Sequence, residues 1–184
     1  KGILYGLSPT TRKIGAIYQE EVLLGILDEL QHGYHHKSRE ELILNVAHNV
    51  KEKNGVLVAL GILRTGMYLL PKSSKIKSDY IIGLWEKACE EGADEGVYKE
   101  ILELIPEVNL TDIHSFAKEI ICYYGFCSLF LLKQDTKLKH DTNKYIKQYI
   151  DKVITLDEIQ TKINDLLNNP DKEFTPVNLR VHSD

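Results

Sequence analysis

The stretch LDELQHGYHHKSREEL, residues 27–42, places His32, His35 and His36 within five positions between acidic flanks. Imidazole and carboxylate side chains hold metals when two of them share a helix face at i and i+3 or i+4. Glu29 and His32 have that spacing, the one used by carboxylate-bridged di-iron bundles. Such a centre needs a second Glu-x-x-His and two further inward glutamates, and no other Glu-x-x-His occurs in the chain. Gly33 reads as a helix stop and Ser38-x-x-Glu41 as a helix start, so the three histidines fall on two different elements. The preferred reading is a solvated His-rich turn. Glu29 and His32 remain the candidate metal ligands, and a metal-dependent enzyme built on them ranks third among the functional readings.

Arg64 is the second oddity, the only charge between Lys53 and Lys72 in an otherwise apolar segment. Burying an unpaired guanidinium is costly, so it must pair with a carboxylate, reach carbonyls, line a cavity or extend to solvent. The acids of the first helix, Glu20, Glu21, Asp28 and Glu29, are candidate partners. Lining an internal apolar cavity, Arg64 would anchor the head group of an anionic ligand, with Tyr68, Tyr123 and Tyr124 as further ligand-binding candidates. In a third place, Lys144, Tyr145, Lys147 and Tyr149 interleave base and aromatic ring, a pattern that binds nucleic acid through phosphate contact and stacking. The apolar stripe Ile146, Ile150 and Val153 makes a plain packed helix the simpler reading there. Between Trp85 and Glu107 eight acids face only Lys87 and Lys99, which suits either partner steering or an ordinary soluble surface.

Absent motifs narrow the field. The chain contains no GxxxxGK[ST], no GxSxG and no HExxH. No cofactor is implied, and a non-enzyme is preferred to an enzyme. The net charge of −4 argues against a generic polyanion binder. Cys89, Cys122 and Cys127 are odd in number, and Cys122 and Cys127 lie about 500° apart around a helix. They read as reduced, buried thiols of a cytoplasmic protein. The longest apolar run, 120–132, is too short to span a bilayer, so no membrane association is expected.

The elements that must position these residues are helical throughout. Ser8-Pro9 starts a helix expected to run to His32, with Gly33 as its left-handed C-terminal residue. The capping box at Ser38 and Glu41 opens a second, closed by Asn54-Gly55. A third runs to Leu70 before Pro71, a fourth starts at Ser78 and ends at Gly92, and a fifth starts at Asp94. A sixth spans about 112–133, a seventh 142–153, and an eighth begins at the capping box of Thr155 and Glu158. The helices at 56–70 and 112–133 are apolar on every side and are therefore expected to be central, with the amphipathic ones around them.

These readings converge on an all-α fold, a compact bundle or array of about eight helices in one domain over 1–184. Short strand-like segments are expected at the termini, with 169–184 as an extended tail. The function that ranks first is a non-catalytic protein-interaction or assembly domain with a protein partner. A small-molecule binding domain built around Arg64 is the alternative.

Overall fold

The computed structural model describes residues 23–33, 37–92 and 94–132. Among them are six α-helices and no strand: α1 (23–33), α2 (Arg39–Asn54), α3 (Val56–Leu69), α4 (Ser74–Glu91), α5 (Glu95–Leu104) and α6 (Ser115–Leu131). Two short 3-10 turns, Ile105–Glu107 and Leu110–Asp112, lie between the last two. The chain is all-α over these residues. The helices expected at 142–153 and beyond Thr155, and both strand-like termini, lie outside the described residues.

Local chemistry sets most boundaries. The Ser38 hydroxyl accepts the Glu41 amide at 3.2 Å, so an otherwise orphaned N–H at the start of α2 is satisfied. Gly55 separates α2 from α3 at φ +90° and Gly92 follows α4 at φ +78°, a region that residues with a Cβ avoid. Asp94 caps α5 by accepting the Val97 amide at 3.3 Å. Gly33, in contrast, lies within α1 and keeps a helical backbone rather than the left-handed one expected of it.

Helix α4 begins at Ser74, a turn before the expected Ser78. Ser73 is the reason. Its hydroxyl accepts the Ile76 amide at 3.2 Å and donates to Glu40 at 2.6 Å, so the cap is also a tether to α2.

The chain divides into two compact units, Lys1–Gly83 and Leu84–Asp184, with the boundary inside α4. In the first unit α3 doubles back on α2 and the first half of α4 doubles back on α3. A Cβ on Gly66 would meet Ile43 Cγ2 of α2 at 2.7 Å and Ile76 of α4 at 3.5 Å; one on Gly83 would meet Leu60 Cδ2 at 2.8 Å. Gly66 therefore lets three helices close on one another. Gly66→Ala is expected to cost about 1–2 kcal/mol, because overpacking a fully buried Ile43 outweighs the gain of up to about 1 kcal/mol in helix propensity. Thermal melts check this; a raised midpoint would contradict it.

Helix α3 departs from the expectation of all-round burial. Val56, Ala59, Leu60, Leu63 and Gly66 are buried, but its other side is not. In the second unit α6 does lie deep: every described side chain from Glu119 to Ser128 is buried. Trp85 at the start of this unit is fully buried and stacks on Tyr124, centroids 4.6 Å apart and planes 10° from parallel, with Tyr98 tilted against it at 6.3 Å.

Candidate functional site

Helix α1 presents Glu29 and His32 on its exposed side. Among the described residues no group of three His, Cys, Asp or Glu side chains stands close enough to hold a metal. His35 and His36 lie outside the described residues. His48, on α2, is exposed and pairs with Glu52 one turn on at 3.3 Å.

Arg64 is exposed on α3. Its Nη2 and Nε donate to the Tyr80 hydroxyl at 2.7 and 3.1 Å, and its guanidinium carbon stands 5.6 Å from the ring centroid. The ring is fully buried, so a phenol at the end of a core side chain holds the cation at the surface. Asp28, an expected carboxylate partner, is instead engaged by Arg39 at 2.6 Å. Tyr80 was not legible as a partner, since only the antiparallel packing of α4 on α3 brings position 80 to position 64.

Tyr68 follows Arg64 by one turn and is 76% exposed. The two belong to a broader surface. Leu57, Gly61, Arg64 and Tyr68 form one row at i, i+4, i+7 and i+11, and Val58, Ile62, Thr65 and Leu69 form the adjacent row. Arg64 and Tyr68 are exposed and the other six are half-buried. At 100° per residue these rows cover the side of α3 opposite its buried residues. The remaining ligand-binding candidates, Tyr123 and Tyr124, belong to the second unit and are core residues, 0% and 2% exposed. The residues considered for nucleic-acid contact, Lys144, Tyr145, Lys147 and Tyr149, lie outside the described residues.

The first unit also contains a hollow of about 210 Å³. Ala47, Val56, Ala59, Leu60, Leu63, Ile82 and Gly83 give it an apolar wall, and His48, Lys51 and Asp79 complete the lining. It exists because three of those positions are small: Ala47 on α2, Ala59 on α3 and Gly83 on α4. Arg64 is not among the residues that line it.

No helix among the described residues is long and apolar enough to cross a membrane. The chain matches no family model, no curated protein and no solved structure, so its chemistry is read from its own residues.

Proposed function

We propose that this chain is a helical protein-interaction domain and that the outer side of α3 is its docking surface. One observation carries the reading: two adjacent rows of a helix are apolar, aromatic or glycine except for Arg64 and Thr65, whose hydroxyl is turned back onto the Gly61 carbonyl, yet they remain partly open to solvent. Solvent-facing helix sides are ordinarily polar. A contiguous apolar surface costs solubility and marks a place where another molecule sits. Tyr68 and Arg64 at its edge are the residue types that dominate binding energy at protein interfaces, because each offers a large flat area and a polar end. The Tyr80 hydroxyl holds the Arg64 guanidinium in place, so less side-chain entropy is lost when a partner docks.

The test replaces Tyr68 with a photo-crosslinking phenylalanine analogue in cells, with exposed Glu103 of α5 as the control position. A discrete adduct is expected from position 68 and not from position 103. Ile62→Asp in the same chain is expected to remove the adduct by placing a carboxylate in the middle of the patch, while leaving the helical circular dichroism unchanged. Equal labelling from both positions would sink the proposal.

A further inference from the structure

The hollow between α2, α3 and the first half of α4 has a separate use. We infer that it binds a small apolar α-amino acid, with the ligand's side chain against the aliphatic wall, its carboxylate toward Lys51 and His48, and its ammonium toward Asp79.

Size comes first. At about 210 Å³ the hollow exceeds the roughly 150 Å³ of an engineered apolar cavity that takes benzene. It falls short of the roughly 300 Å³ at which sites for drug-sized ligands begin, which favours a small ligand. One isobutyl or benzyl group fits.

Charge then selects what must be attached to that group. The lining is aliphatic except for three side chains. His48 and Lys51, one turn apart, come from α2, and Asp79 comes from α4. His48 and Asp79 are exposed and Lys51 is half-buried, so the polar groups stand at the mouth while Leu60, Ala59 and Val56 are buried beneath. A purely apolar ligand would cover this mouth without matching it. An anion would meet Asp79 and a cation would meet Lys51, each at the cost of a like-charge contact. A zwitterion with its two charges on one carbon satisfies both sides and keeps its side chain on the apolar wall. His48 stands 3.3 Å from Glu52, and Lys51 and Asp79 also engage neighbouring groups. An ammonium with three donors and a carboxylate with two acceptor oxygens each have capacity beyond one partner. The mouth is therefore organised by the protein's own charges before a ligand arrives.

The site does not depend on the outer side of α3, which lies on the opposite face of that helix. Its test is a titration of the full chain, followed through backbone amide resonances of Ala47, Ala59, Leu60 and Gly83. Three ligands are compared: L-leucine, 4-methylpentanoate, which lacks the ammonium, and 3-methylbutylamine, which lacks the carboxylate. L-Leucine is expected to shift these amides with a Kd on the order of 1 mM, as suits a small ligand in a half-open site. Each single-charge analogue is expected to bind at least about tenfold more weakly, the loss of one charge-assisted contact. Lys51→Met should weaken L-leucine and 4-methylpentanoate but strengthen 3-methylbutylamine, whose like-charge contact it removes. Asp79→Asn should weaken L-leucine and 3-methylbutylamine but strengthen 4-methylpentanoate, whose like-charge contact it removes. Both substitutions sit at the exposed mouth, and an intact amide spectrum confirms that each variant is folded. Absence of shifts with L-leucine, or equal affinity for all three ligands, would overturn the inference.

Discussion

Trp85→Ala is expected to lower the stability of the second unit by about 3–5 kcal/mol, the range for deleting a large aromatic side chain from a core. Trp85 is 0% exposed, and it stacks on Tyr124 while Tyr98 tilts against it, so truncation removes one member of a three-ring cluster. Domains are stable by only about 5–15 kcal/mol, so this one substitution consumes much of the margin. Urea unfolding followed by circular dichroism measures it. Trp85→Phe is the informative companion. The indole N–H has no hydrogen-bond acceptor among the described residues, and phenylalanine keeps a stacked ring without that donor. Its cost is expected to be smaller than that of the alanine variant, because fewer ring atoms are lost from the core. A small loss for the alanine variant would mean that the cluster does not anchor this unit.

The second large effect is alkaline destabilisation through Cys122. Burial at 1% exposure pushes its thiol from an ordinary 9.0 up to about 12, because a thiolate in the core would lose its hydration. The folded value is raised, so between those pH values the unfolded chain binds fewer protons than the folded one. Stability is then fully present below pH 9 and falls as pH rises toward 12. At about 1.4 kcal/mol per pH unit the loss is on the order of 4 kcal/mol across the window. Tyr98 acts in the same direction: burial, and then the charge of Cys89, raises its phenol above the ordinary 10.0. Cys122→Val is expected to flatten the alkaline limb of the stability curve relative to the unaltered chain, with Tyr98→Phe accounting for the smaller part. Parallel curves for the two chains between pH 8 and about 11 would rule out the buried thiol as the cause.

What could be read in the sequence was whatever is decided within one helical turn. Ser38 with Glu41, Asp94 with Val97, and the glycines at 55 and 92 act on amides or backbone angles three residues away or fewer, and the structure places helix ends at each. In the histidine-rich stretch, Ser38 acts as the expected cap of α2, whereas Gly33 keeps a helical backbone and His35 and His36 lie outside the described residues.

Tertiary packing decided what sequence distance conceals. The sequence pattern starts α4 at Ser78, a turn later than the Ser74 that the structure shows. The bond from Ser73 to Glu40, 33 positions earlier, fixes the earlier cap. Composition determined that α3 is apolar on all sides, but not that only one side would be covered, since hydropathy has no direction and burial depends on which helices arrive. Arg64 announced that it needed a partner. Tyr80 meets it because antiparallel packing set by Gly66 and Gly83 brings α4 alongside α3, while Glu20 and Glu21 lie outside the described residues. The hollow has the same origin: Ala47, Ala59 and Gly83 are unremarkable one by one, and only the crossing of three helices at small residues opens a space beneath Lys51 and Asp79.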